Sequence, residues 1–195
     1  MSEETIVEEY TRQVTRDPRT GRIVKEVHLL NGQIHREGGP AHLLFDPTGN
    51  LIRERWFLRG VQVRNDGPSG TDWDSSGNVT FQVWTTEYGL HREGGLPAKM
   101  SHDPDTGIVV REEFYLFGKE HHDRGPSLIE RDPQSGIVVF EEWKQHGQLT
   151  RIGGNPALFE RDPETGAIAR AEHWLDGRQQ DEMTSRPLGI MPGPK

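Results

Sequence analysis

The chain has no cysteine, which excludes disulfides, thiolate metal sites and cysteine nucleophiles. It is also poor in bulky aliphatics. Leu, Ile, Val and Phe supply 43 of 195 residues, close to the level at which chains stop folding. A thick two-layer α/β core is therefore not expected. No apolar run approaches the length of a membrane span. The stretch from Met1 to Tyr10 is acidic and lacks an apolar centre, so no secretory signal is read there. An excess of basic residues is missing too: 23 Lys and Arg face 31 Asp and Glu, a net charge of −8 with both signs intermixed. That balance argues against a binder that tracks phosphates, and the mixing argues against a polyanion mimic. The expectation is a cytoplasmic protein that engages neither membrane nor nucleic acid.

What the chain does contain is repetition. Proline followed by a small residue recurs at Pro40-Ala41, Pro68-Ser69, Pro97-Ala98, Pro126-Ser127 and Pro156-Ala157, at spacings of 28, 29, 29 and 30. Turn-opening aspartates recur at Asp17, Asp46, Asp74, Asp103, Asp132 and Asp162. In all five complete cases the aspartate lies 6 residues after the proline. Each unit reads as a short strand, an Asp turn, a longer strand rich in β-formers and a glycine turn. Four Asp turns are Asp-Pro-x-Thr/Ser-Gly, which combines a turn-opening carboxylate, a preset φ and a left-handed glycine. No stretch carries helical periodicity with caps.

The pattern predicts an all-β fold: an elongated, open antiparallel meander of about six repeated β-hairpin units and about twelve strands. Residues 1–9 read as a lead-in, 10–181 as the repeat domain and 182–195 as a flexible tail containing Pro and Gly.

Four residues before the glycine turn lies an aromatic slot, filled by Trp56, Phe114 and Trp143. Trp84 joins it if Tyr88 takes the turn position, and the terminal units place His28 and His173 there. Eight residues after the slot comes a basic position: Arg36, Arg64, Arg92, His122 and Arg151, with Asp181 in the last unit. A three-residue turn would set slot and basic residue on one face, close enough for a guanidinium to stack on an indole. A two-residue turn would shift that register. Glu26, Glu54, Glu112 and Glu141 stand two residues before the slot.

Ladders of this kind either hold a thin sheet together or form a binding face; residues that recur in every unit favour the scaffold. Departures from the repeat are the better candidates for contact with a partner. Trp73 is alone of its kind, Phe117 occupies a turn tip, and His121-His122-Asp123 interrupts the return segment. The histidines fall one per unit, which does not converge three or four ligands on a metal. There is no phosphate loop, nucleophile elbow or paired-carboxylate site, so neither an enzyme nor a cofactor is expected.

The run Asn31-Gly-Gln-Ile-His-Arg-Glu-Gly-Gly-Pro-Ala41, echoed at Gly89 to Ala98, resembles the MORN-variant repeats of the YwqK-type antitoxin group. The resemblance covers about 170 residues and implies an open sheet of stacked hairpins that serves as a scaffold or binding module. It lacks the Tyr-Gly-Glu hallmark of eukaryotic MORN repeats, and it supplies no catalytic motif. The expected function is non-enzymatic protein binding, antitoxin-like or inhibitory, of bacterial or phage origin, against a partner with a basic surface. A self-associating scaffold, as a homodimer, is the first alternative. A small-ligand binder or enzyme is the second.

Overall fold

The computed structural model describes residues 8–180. Six antiparallel hairpins follow one another in chain order. They are Tyr10–Arg16 with Ile23–Leu30, His42–Phe45 with Leu51–Arg55, Gly70–Trp73 with Val79–Val83, Lys99–His102 with Val109–Glu113, Leu128–Arg131 with Val138–Glu142, and Leu158–Arg161 with Ile168–Leu175. These are units one to six. Each strand pairs with its neighbours in chain order, so the twelve expected strands form one meander. Two short return strands, Gln33–Ile34 and Arg178–Gln180, bring the sheet to 14.

The Asp turns close the hairpins at one end. In each unit the pairing register slips at the residue before the aspartate, for example between Asp72 and Trp73 and between Glu130 and Arg131. This β-bulge twists the strand into the turn. The aspartate side chain then organises the loop. Asp132 accepts the backbone N–H of Ser135 at 2.7 Å and its hydroxyl at 2.7 Å; Asp46 accepts the Thr48 hydroxyl at 2.6 Å and three backbone N–H groups. The Thr48 hydroxyl, followed by the N–H groups of Asn50, Gly49 and Thr48, holds the Asp46 carboxyl at about 2. Asp17, Asp74, Asp103, Asp132 and Asp162 are lowered by the same kinds of bonds, led by backbone or hydroxyl donors within each loop. A lowered carboxyl stabilises the fold fully above its unfolded pKa, and that contribution is lost as pH falls through the folded value. All six turns therefore weaken together. Thermal scans from pH 7 downward are expected to show little change until about pH 4 and a steep fall towards pH 2. A flat profile over that last interval would show that the turns do not couple to folding.

At the opposite end each second strand runs through the slot residue into a tip hairpin. The four internal ones are Phe57–Leu58 with Val61–Gln62, Thr85–Thr86 with Gly89–Leu90, Tyr115–Leu116 with Lys119–Glu120, and Lys144–Gln145 with Gln148–Leu149. Each forms a small two-stranded sheet apart from the large one. Their turns have two residues, with positive φ at both centres in Arg59-Gly60, Phe117-Gly118 and His146-Gly147. That is the primed turn that suits strand twist. Unit three turns through Glu87-Tyr88, which puts Tyr88 where the other units have glycine.

Neighbouring tips are stitched together. Gly60 N–H donates to Ile34 O, Gly118 to Leu90 O, Gly147 to Glu120 O and Gly177 to Leu149 O, all at 2.8–2.9 Å. Unit three has Tyr88 in that place, and the Thr85 hydroxyl takes the Gln62 carbonyl at 2.6 Å instead.

The core is thin, as the scarcity of aliphatics requires. Its buried apolar residues are Val27, Leu30, Ala41, Val83, Ala98, Phe114, Leu128, Ala157 and Leu158. No helix among the described residues is long and apolar enough to cross a membrane. Asp181 and the tail at 182–195 lie outside the described residues, as does most of the lead-in.

Candidate interaction surface

The slot and the basic position meet in every unit where both are described. The Arg64 guanidinium carbon lies 3.9 Å from the Trp56 ring centroid, Arg92 lies 3.7 Å from Trp84, and Arg151 lies 3.6 Å from Trp143. His122 replaces arginine in unit four and stacks on Phe114, with centroids 4.3 Å apart and planes 4° apart. In unit one Arg36 reaches His28 at 3.2 Å. Stacking was expected to need a three-residue turn, but the turns have two. It survives because the chain pairs only as far as the residue before the basic one, such as Val63 to Trp56, and then leaves the strand. The side chain that would have pointed to the opposite face is thereby free to fold over the ring.

The same basic group grips the following loop. Arg36, Arg92, His122 and Arg151 each contact the carbonyl of the proline four or five residues on, at 3.1–3.4 Å. Where the spacing to that proline is 4, the residue before it is glycine: Gly39, Gly67 and Gly125. A Cβ there would lie 3.0 Å from Arg36 Nε, 3.1 Å from Arg64 Cζ and 2.7 Å from His122 Cε1. Where the spacing is 5, the loop has room and Leu96 or Asn155 stands there.

The preceding glutamates follow two habits. Glu54 accepts the Trp56 indole N–H at 3.2 Å. Glu112 and Glu141 instead pair with Arg131 and Arg161 of the next unit, both at 2.6 Å. With Glu141 so engaged, the buried Trp143 Nε1 has no hydrogen-bond partner. Glu26, between Arg12 and His28 at 2.6 Å each, is lowered to about 2, chiefly by the Arg12 hydrogen bond.

The residues expected at a partner contact are not all brought together. Trp73 sits at the bulge before its Asp turn, in the place that Arg16, Phe45, His102, Arg131 and Arg161 hold in other units. It is thus one member of a row, half-buried, at the end of the unit away from the tips. The carboxylates beside it are committed to the fold. Asp72 pairs with Arg53 at 2.8 Å and Arg55 at 2.6 Å, and Asp74 accepts the N–H groups of Ser76 and Asn78 within its own loop. His121-His122-Asp123 keeps the ladder rather than interrupting it. His122 holds the basic place, and His121 accepts the His146 N–H from the next tip at 3.3 Å, as His35 accepts that of Arg59 at 3.0 Å. Asp123 is exposed, 2.8 Å from His121 Nε2, and that histidine lowers its carboxyl.

Phe117 differs. It takes a left-handed φ of 46° at a turn position held elsewhere by Asn31, Arg59, His146 and Asp176. A bulky side chain is disfavoured there by about 1–2 kcal/mol, a penalty that asparagine and aspartate relieve. The ring stays 51% exposed. It stacks on His91, centroids 4.3 Å apart, and meets Tyr88 edge-on at 5.9 Å. This placement depends on a close approach of two glycine backbones, since a Cβ on Gly89 would lie 3.2 Å from Gly118 Cα. Leu58, Val61 and Tyr88 are exposed as well, at 42%, 45% and 66%. Together with Phe117 they line a groove of about 510 Å³ across the tips of units two, three and four. Sequence reasoning singled out only Phe117 of this group. The available signal was apolar residues at tip positions where units five and six carry Gln145, His146 and Asp176.

No family profile, curated protein or solved structure matches this chain. Among the described residues no group of three His, Asp or Glu side chains is placed to hold a metal ion.

Proposed function

We propose that this chain is a non-enzymatic protein-binding module, antitoxin-like or inhibitory, whose contact surface is the row of tips in its middle units. The observation that carries the reading is Phe117: an aromatic kept exposed in a backbone conformation that disfavours it. The turn needs the left-handed φ but not an apolar ring, and an exposed phenyl where other units place Asn31, Arg59, His146 and Asp176 points to a use outside the fold. Leu58, Val61 and Tyr88 extend the ring into a patch, and patches of exposed apolar side chains mark contact sites. The repeat supplies a stiff support, because slot, basic residue and loop are already bound to one another. The resemblance to antitoxin-type repeats agrees with such a role.

The test uses Phe117→Asn, which places a residue suited to left-handed φ in the turn. The variant should keep its melting temperature within the change expected for about 1 kcal/mol. In affinity capture from the source cell, a stoichiometric partner held by the native chain should be absent from the variant. Capture that survives Phe117→Asn but is lost in Trp73→Ala would move the contact to the Asp-turn end. Survival in both variants would defeat the tip surface.

A further inference from the structure

We infer that the groove takes a basic-apolar segment of a partner protein: an aromatic or branched aliphatic side chain flanked by lysine or arginine. This rests on the protein-binding reading above and adds the chemistry of the occupant. Its apolar part comes from Leu58, Val61, Tyr88 and Phe117, with Asn65, Thr86 and His91 among the uncharged polar lining. The only charged groups that line it are the carboxylates of Glu87 and Glu93; no lysine or arginine lines it. The Glu93 side chain is 96% exposed, 3.5 Å from His91 Nε2, and so projects at the rim with its charge accessible. Arg59, the cation nearest in sequence to Leu58 and Val61, turns the other way, towards Glu8 at 3.7 Å.

Several carboxylates of the sheet are engaged by cations, whereas the exposed ones of the return segments, Glu37, Glu93 and Asp123, each face a histidine. Asp72, Glu112, Glu113, Glu141, Glu142 and Glu172 all pair with cations of the sheet. Glu87 has no such cation partner among the described residues, and that of Glu93 is a single histidine. Both belong to unit three, and both line the groove beside its apolar side chains. An acidic segment would meet repulsion there, and a purely apolar one would leave the rim charges without use. A groove of this size holds one or two large side chains rather than a whole domain. Rim carboxylates of this kind act chiefly on association rate and its salt dependence, while the buried ring sets the residence time.

The experiment selects short random peptides displayed on phage against the folded chain, with counter-selection on Phe117→Asn. Enriched peptides should carry an apolar residue next to lysine or arginine. A synthetic copy of one should bind more than about tenfold more weakly to Phe117→Asn. It should bind about fivefold more weakly to Glu87→Gln with Glu93→Gln at low salt, with the difference vanishing at high salt. Enriched peptides that lack cations, or unchanged low-salt binding to the double glutamine variant, would overturn the inference; the protein-binding reading would then stand on the capture comparison. Failure to enrich any peptide dependent on Phe117 would also overturn it.

Discussion

Trp143→Ala should lower the stability of the array by about 3 kcal/mol, read as a shift in the urea midpoint. The indole lies under the Arg151 guanidinium at 3.6 Å, and its backbone joins two pairings, donating to Ala157 O at 2.7 Å and accepting from Thr150 N–H at 3.0 Å. Truncation removes a half-buried ring from a stretch whose backbone bonds to Ala157 and Ser127, which are 0% and 1% exposed. It also strips Arg151 of its stacking surface, and burial already disfavours the charge of that group. Trp143→Phe supplies the contrast. Phe114 already fills the same slot in unit four, and a phenyl ring removes the buried indole N–H that has no partner. Its cost should stay below about 1.5 kcal/mol. Equal losses in the two variants would show that the slot depends on the whole indole rather than on a flat ring under a cation.

Gly125→Ala is expected to cost about 1–3 kcal/mol although it adds one methyl group. The reason is steric, since Gly125 has no left-handed φ. Its new Cβ would fall 2.7 Å from both His122 Cε1 and Nδ1, on a ring held against Phe114 on one side and 3.1 Å from Pro126 O on the other. The array contains its own remedy. Units three and five have one more residue between the basic side chain and the proline, and they carry Leu96 and Asn155 in the equivalent place. Inserting one glycine before Pro126 in the Gly125→Ala background should therefore recover most of the lost stability. If the insertion lowers the melting temperature further, the link between loop length and pre-proline glycine is wrong.

The sequence was legible where a residue is chosen for backbone geometry or for a partner at fixed spacing. Asp17, Asp46 and their successors announce the turns because the carboxylate bonds its own loop, which needs nothing distant. The twelve strands follow from those turns, and the slot-to-basic spacing of eight announces the stacks. The reason for the stacks was less legible. Val63 and its counterparts end the tip pairing one residue early, and no local signal in the sequence marks that exit. Trp73 is singular in the sequence as a residue type, and only the shared bulge reveals the place it has in common with Phe45, His102, Arg131 and Arg161. The groove was hidden for another reason. Leu58, Tyr88 and Phe117 are about 30 residues apart, and they converge only once the Thr85 hydroxyl on Gln62 O and the Gly118 N–H on Leu90 O fix the spacing of the tips.

Among the described residues the pairing runs between hairpins that are neighbours in the chain. No side chain in the centre is needed by both ends. A unit duplicated or removed as a whole would keep the backbone pairing of its strands on either side, and only the tip stitch, Thr85 in unit three and a glycine N–H in the others, would need to match, so the array can change in reach by steps of one hairpin. The three units that build the groove would move as a cassette, which makes the position of the contact along the ribbon, rather than its composition, the property most easily altered by descent.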